Sequence, residues 1–315
     1  MLGYFGPEGT FTHQALACVS REEGIPFDTV SAALDAVREG QVDAAMVPIE
    51  NSVEGGVTVT LDRLADGQLM IVREVLLPVQ FDLCARPGAT LDGIRRVVSH
   101  PHAIAQVREW LAANVPQARI TEGGSTAGAA KEVSDPQSKY DAAICASIAG
   151  QMYGLVPLAT GIADNSDAVT RFVLVSKPGP LPPPSGADKT TLVAYIHADR
   201  PGALLELLSQ FANRGVNLCR LESRPTKTKL GNYCFSIDAE GHVRDPRLAE
   251  AMLGLHRVCE SVVFLGSYPR ADGVRPKVAY GFSDEEFANA QSWYATLLNP
   301  KLTGDGSETH RGRFL

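Results

Sequence analysis

Between Lys177 and Lys189 the chain reads KPGPLPPPSGADK, and no sheet or helix can run through it. Each proline fixes φ and removes a backbone donor, so the segment is read as a semi-rigid linker. It divides the 315 residues into a long N-terminal region and a compact C-terminal block, each large enough for its own core. The expected division is a two-lobed region over 1–177, a linker over 178–189, a block over 190–267 and a tail over 268–315.

The N-terminal region alternates short apolar runs with helical patterns. Strands are predicted at Leu2–Phe5, Phe27–Val30, Ala44–Val47, Val97–Ser99, Arg119–Thr121, Ala142–Cys145 and Phe172–Val175. Helices are predicted at Phe11–Ser20, Ala32–Arg38, Ala103–Ala113 and Ala127–Glu132. Such alternation predicts an α/β fold with parallel sheet and helices on both faces. DAAMVPI, beginning at Asp43, echoes DAAICASI, beginning at Asp141, and each follows a strand and a helix opened by small hydroxyl residues. The echo predicts two similar lobes with a cleft between them, the strand at 172–175 returning the chain to the first lobe. An Ala-rich β-α-β unit repeated by chance would look the same.

The block after the linker reads β-α-β-β-α-β: Thr190–Ile196, Gly202–Arg214, Leu218–Ser223, Asn232–Ala239, Pro246–Leu255 and Ser261–Leu265. That order is the ferredoxin-like split unit, whose sheet keeps a free edge and an open face suited to a second copy. In the tail, Ser283–Leu298 reads as one amphipathic helix. Ser283 caps it, Glu285 and Glu286 sit in the first turn, and Phe287, Ala290 and Trp293 or Tyr294 share a face. Beyond Asn299-Pro300 the composition predicts disorder.

Charge and cysteine usage exclude several functions. Twenty-nine Lys+Arg against 36 Asp+Glu leave a net charge of −7, the wrong sign for a general nucleic-acid binder. No apolar run approaches the ~20 residues of a membrane span, and the N-terminus MLGYF lacks a signal-peptide pattern. Six cysteines without a Cys-x-x-Cys pair argue for reduced thiols in a cytoplasm and against a zinc site.

Five stretches carry more polar and Gly/Pro punctuation than a fold requires. Gly6-Pro7-Glu8-Gly9-Thr10-Phe11 follows a strand and opens a helix, where backbone N–H groups favour an anion; it matches no nucleotide fingerprint. Pro48-Ile49-Glu50-Asn51-Ser52 ends a buried-looking strand, the place where open α/β sheets bind ligands. Ser99-His100-Pro101-His102-Ala103 repeats the strand-to-helix setting; His100 is either a hydrogen-bond donor, a general acid or a loop residue satisfied by backbone. In the stretch from Asn165 to Phe172, NSDAVTRF, Thr170 and Arg171 either are structural or address a hydroxyl and a carboxylate. In the small block, Pro201-Gly202-Ala203-Leu204 opens a helix and Glu222-Ser223-Arg224-Pro225 closes a strand. These are a helix start and a polar turn, or else an amino-acid pocket at a dimer interface.

Taken together, GPEGTF, PIENS, SHPHA, NSDAVTRF, PGALLELL and ESRP, in this order and spacing over about residues 2–267, resemble the bacterial prephenate dehydratase family. The resemblance implies a catalytic region similar to type 2 periplasmic binding proteins, followed by an ACT regulatory domain. It implies a carbon–oxygen lyase that converts prephenate to phenylpyruvate, water and carbon dioxide in phenylalanine biosynthesis, with feedback by L-phenylalanine. It assigns Thr170 to catalysis, as donor or relay to the leaving hydroxyl, and Gly9, Thr10, Phe11, Glu50, Asn51, Ser52, Ser99, His100, Arg171 and Phe172 to the substrate. Gly202, Ala203, Leu204, Asn217, Leu218, Glu222 and Ser223 fall to the effector. Aromatisation drives the reaction strongly downhill, so no cofactor or metal is expected.

A carboxylate near a dianionic substrate repels it, so Glu50 is expected to be protonated, turned into a structural pair, or near the leaving hydroxyl. Cys219-Arg220 departs from a family pattern that often has a hydroxyl residue and a lysine there. The chain starts on the first catalytic strand, and a monofunctional homodimer or homotetramer is expected. Arogenate is the rival substrate, and a non-catalytic amino-acid sensor the rival function.

Overall fold

The computed structural model describes residues 1–53, 55–165, 167–197, 200–225 and 233–298. The disorder expected after Asn299-Pro300 therefore lies outside the described residues, as do Ser166 and Asn232.

The first lobe contains β1 (Leu2–Phe5), α1 (Phe11–Ala17), β2 (Ile25–Phe27), α2 (Val30–Glu39), β3 (Ala44–Asn51), β4 (Gly55–Gly56), α3 (Thr58–Leu64) and β5 (Met70–Pro78). The second contains β6 (Asp82–Ala85), a 3-10 turn (Leu91–Gly93), β7 (Arg96–Ser99), α4 (Pro101–Gln106), α5 (Arg108–Asn114), β8 (Arg119–Glu122), α6 (Thr126–Ser134), β9 (Ala142–Cys145), α7 (Ser147–Met152) and β10 (Val156–Ala159). Then β11 (Val169–Ser176) returns to the first sheet.

Local chemistry sets these elements. Helix α2 begins where the Thr29 hydroxyl accepts from the Ala32 N–H at 3.0 Å and ends at Gly40 in the left-handed region. Its buried side chains Val30, Ala33, Leu34 and Val37 recur at helical spacing.

The two sheets run β2-β1-β3-β11-β5 and β10-β6-β9-β7-β8. Read from the β8 end, the second repeats the first, and the echoed segments supply the central strands β3 and β9. The sheets are mixed rather than parallel: β11 is antiparallel to β3 and β5, and β6 is antiparallel to β9 and β10. Strand β5 leaves for the second lobe and β11 comes back at the same end of the sheet, so the two must run in opposite directions. Four strands, β4, β5, β6 and β10, were not expected. The helix expected at Ala103–Ala113 is two helices broken at Val107.

The C-terminal domain is β12 (Asp188–Tyr195), α8 (Ala203–Ala212), β13 (Leu218–Pro225), β14 (Tyr233–Glu240), α9 (Pro246–Val258) and β15 (Ser261–Pro269), in sheet order β13-β14-β12-β15. Helices α8 and α9 cover one face through Leu207, Phe211, Leu248 and Leu255. The other face is not open, contrary to expectation. Its Val193, Cys234, Leu265 and Tyr268 share a core with Ile49, Leu61 and Ile71 of the first lobe, because an apolar sheet face left in water is unfavourable. The first sheet is thus sandwiched, with α1 packed on Tyr4, Met46 and Phe172 on one side and α2, α3 and the C-terminal sheet on the other.

Helix α10 (Asp284–Leu298) follows. Ser283 and Glu286 close a reciprocal capping box, with Ser283 N–H to Glu286 Oε2 at 2.9 Å and Glu286 N–H to Ser283 Oγ at 3.2 Å. None of its residues is buried, and Trp293 and Tyr294 of the expected apolar face stay exposed. Among the described residues no helix is long and apolar enough to cross a membrane.

The domains meet backbone to backbone at Gly266, with φ of +123°, where an added Cβ would lie 2.2 Å from the Ile71 carbonyl oxygen. Gly266→Ala is expected to cost about 2–4 kcal/mol. In a thermal melt this lowers the midpoint by at least about 5 °C; an unchanged midpoint would refute the close docking.

Candidate active site

Strands β3 and β11 build the centre of the site. Thr170 lies opposite Asn51, and Arg171 opposite Glu50. Successive strand residues point to opposite faces, so these neighbours are sorted to different sides of the sheet. The pairing then shifts by one residue, Phe172 facing Pro48. This bulge leaves Pro48, Asn51, Thr170 and Phe172 on the cleft wall, while Ile49 joins the core shared with the C-terminal domain.

A cavity of about 290 Å³ lies between the lobes. The first lobe contributes Thr10, Phe11 and the four strand residues; the second contributes Phe81, His100, His102, Gln106, Ser125 and Thr126. The Asn51 amide donates to the Thr170 hydroxyl at 2.8 Å, and the Asn51 carbonyl accepts from the Val53 N–H at 2.8 Å. This fixes which end of the amide faces the threonine. Helix N-termini surround the space. Thr10 caps α1 by accepting from His13 N–H, His100 caps α4 through Nδ1, and Ser125 caps α6 by accepting from Gly128 N–H at 2.9 Å. The walls are aromatic, Phe11 meeting Phe81 edge to face at 5.5 Å.

Several residues assigned to the substrate by resemblance have other positions. Arg171 is 4% exposed and faces away from the cavity. Its Nε donates to Glu74 at 2.7 Å, its Nη2 to the Tyr268 hydroxyl at 2.7 Å, and its Nη1 to Asp238 and, at 3.4 Å, to Glu50. Glu50 is therefore in a structural pair, one of the three placements expected for it. Ser52 cross-braces β3 to β11, its Oγ accepting from the Val169 N–H at 2.9 Å. Ser99 is buried and donates to the Ile144 carbonyl at 2.6 Å. Gly9, at φ of +80°, lies against the second lobe, where an added Cβ would sit 3.2 Å from that of Ala149; a glycine is needed there for the approach of the two lobes.

Sequence reading missed Phe81, His102, Gln106 and Thr126. His102 stood within a stretch already singled out, and Thr126 is one of the small hydroxyl residues that open the helix of the second echo. Gln106 had no local signal, yet its side-chain oxygen is buried without a hydrogen-bond partner and the residue lines the cavity. No lysine or arginine is among the described residues that line it.

A second cavity, about 540 Å³ and open, lies on the C-terminal domain against Gly202, Ala203, Leu204, Ser223, Tyr233 and Phe235. Asn217, Leu218 and Glu222 are elsewhere. The Asn217 carbonyl accepts from Glu240 N–H, Leu218 packs on the helix-side core, and Glu222 lies against Gly56 of the first lobe.

Burial raises the Asp238 pKa, but Arg171 and Arg220 beside it more than reverse this and hold it well below the usual carboxylate range. A depressed folded pKa contributes stability above the unfolded value of about 3.9 that is lost as pH falls below it. Urea unfolding followed from pH 7 to 3 should show that loss below about pH 4, and Asp238→Asn should shrink it. An acid limb identical in the variant would remove Asp238 as its source.

Comparison with known proteins identifies both regions. Residues 2–180 match the family model described as prephenate dehydratase, and residues 190–257 the model described as ACT domain. A prephenate dehydratase of Amycolatopsis methanolica is 49% identical over 300 residues, covering 94% of this chain and 97% of that one. The crystal structure of prephenate dehydratase in complex with L-Phe from Arthrobacter aurescens superposes with a TM-score of 0.88 at 52% identity, covering 94% of this chain and 99% of that chain. A structure described as GqqA, a novel type of quorum quenching acylase, gives 0.77 at 33% identity over 85% of this chain and 97% of its own.

Proposed function

The chain belongs to the prephenate dehydratase family, and we propose that its interlobe cleft carries out that reaction, a carbon–oxygen lyase step on prephenate. The observation that carries the reading is the Thr170 hydroxyl held at the cleft by Asn51. Because the hydroxyl accepts from the amide, its own proton is left to donate.

The chemistry asks for such a donor. The bond between the ring and its carboxylate breaks and carbon dioxide leaves. Its electron pair passes through the ring diene and expels the para oxygen, which takes a proton to become water. Hydroxide is a poor leaving group, so a donor at that oxygen lowers the barrier. A threonine hydroxyl is too weak an acid to be the sole proton source at neutral pH, and its part is a hydrogen bond that strengthens as charge develops on the oxygen. The first-turn N–H groups of α6 and the side chains of His100, His102 and Thr126 supply donors for the substrate's carboxylates. Phe11, Phe81 and Phe172 enclose the ring and exclude water.

The same hydroxyl argues against an acyl-transfer reading. A nucleophile needs a base to take its proton, whereas Thr170 is partnered with an amide.

We place L-phenylalanine in the C-terminal cavity at Gly202, Ala203, Leu204 and Ser223; that L-phenylalanine is a ligand is supported by the complex of the Arthrobacter relative. The cavity is open, and exposed Leu204, Leu205, Leu221 and Tyr233 stand beside the edge strand β13, a surface suited to a second copy in a dimer or tetramer. We place the enzyme in the cytoplasm on its reduced-thiol composition.

Purified protein should form phenylpyruvate from prephenate, faster than any turnover of arogenate, with suppression by L-phenylalanine. Thr170→Ala should lower kcat by more than tenfold with KM changed less; near-normal turnover would remove Thr170 from the mechanism. Leu204→Asp should raise the phenylalanine concentration for half-inhibition at least about tenfold, since a carboxylate in that wall opposes an apolar side chain. An unchanged inhibition curve would move the effector elsewhere.

A further inference from the structure

Arg171 adjoins Thr170 in the chain but serves the opposite face of the sheet, and it is held from two directions. Glu74 of β5 and Glu50 of β3 belong to the first lobe; Asp238 of β14 and Tyr268 of β15 belong to the ACT domain. Asp238 is fully buried and shared. Its Oδ2 accepts from Arg171 and, at 2.9 Å, from Arg220 Nε, while its Oδ1 accepts from the Thr191 hydroxyl at 2.6 Å. Arg220 in turn reaches Glu222 at 3.4 Å.

Strand β13 sorts its residues as β11 does. Glu222 lies against Gly56, and Arg224 pairs with Asp62 of α3 at 2.9 Å, both toward the first lobe. Ser223 between them lines the open ACT cavity. A continuous line of contacts therefore runs from Thr170 through Arg171, Asp238, Arg220 and Glu222 to Ser223. At each end, one peptide unit separates the charged line from a ligand-facing hydroxyl.

We propose that Asp238 is a positioning residue for the dehydration. Through Arg171 it holds β11 so that Thr170 meets the leaving oxygen, and through Arg220 and Glu222 it ties that placement to the effector side of β13. The second half rests on the regulatory reading given above; the first does not. The physical reason is that a buried charge cannot be left unpaired. A shift of β13 that draws Arg220 away must be followed by Asp238, and then by Arg171, because all three side chains are buried and a charge left without its partner there is costly. Packed cores respond in this way by moving between discrete arrangements.

The experiment uses full-length protein carrying Asp238→Asn, which keeps the shape and removes the charge, with Thr191→Val as a milder second variant. For each, folding is checked by melting, kcat and KM for prephenate are measured, and phenylalanine binding is measured calorimetrically beside the inhibition curve. Asp238→Asn is expected to lower kcat at least about tenfold with KM within about threefold, the signature of a lost transition-state alignment. Thr191→Val should lower kcat about threefold in the same pattern. Phenylalanine should still bind Asp238→Asn with near wild-type affinity while suppressing its residual turnover much less.

A folded Asp238→Asn with wild-type kcat overturns the positioning role. So does an unfolded Asp238→Asn accompanied by a folded Thr191→Val of unchanged kcat. Inhibition that tracks occupancy in Asp238→Asn as in the wild type overturns the link to the effector. Should the wild type itself ignore phenylalanine, the regulatory reading fails, and the kcat comparison alone decides whether Asp238 positions Thr170.

Discussion

A guanidinium removed from water needs partners for each of its N–H groups, and at Arg171 two domains supply them. Glu74 alone does not suffice, since its Oε2 also accepts from Lys189 at 2.9 Å and its Oε1 from the Ala271 N–H at 2.9 Å. Removing one partner from such a buried set costs about 3–5 kcal/mol. The docking of the C-terminal sheet is thus fixed by charge as well as by the apolar core of Ile49, Val193 and Tyr268. Apolar contact is non-directional, whereas the ionic cluster fixes the register of the two domains.

The two-residue period of a strand lets one sheet serve two clients. In β11, Thr170 and Phe172 face the cleft while Arg171 faces the C-terminal domain. The bulge at Ile49 adjusts β3 so that Pro48 and Asn51 share the cleft wall. A regular ladder would have alternated Ile49 onto that wall and placed an aliphatic side chain where the site has a turn-forming proline and an amide. The sandwiching of the first sheet between α1 and the C-terminal domain makes this sorting strict, because a one-residue slip of β11 would bury Thr170 among charges and expose Arg171 to the substrate.

Much of this arrangement was legible in the sequence. The strands β1, β3, β9 and β11, the β-α-β-β-α-β order and the motifs lining both cavities follow from local pattern. What was hidden is non-local. Strand β5 reads MIVREVLLP, and its Arg73-Glu74 interrupts the alternation; Glu74 is buried only because Arg171 and Lys189, far along the chain, neutralise it. The break in the helix after Gln106 is held by Asp164, whose carboxylate accepts from the Glu109 and Trp110 N–H groups at 3.0 Å each. Nothing near Val107 announces that cap. The direction of Arg171 was likewise undecidable locally, since alternation says that Thr170 and Arg171 part company but not which one meets the substrate.

That outcome has a chemical consequence for a decarboxylating site. In loss of carbon dioxide the carboxylate gives up its charge on the way to the transition state. A guanidinium bound bidentately to it would be stronger in the ground state than in the transition state, and would slow the step it appears to serve. Neutral donors discriminate less against the departing group. They can also hold the side-chain carboxylate, which keeps its charge throughout, and a helix N-terminus such as that of α6 is enough for this. With Arg171 turned into the domain interface, the cleft retains hydroxyls, amides, imidazoles and aromatic walls. The strongest cation near the reaction is thereby used to fix the strand that carries Thr170, and the carboxylate that must leave is not paired with it.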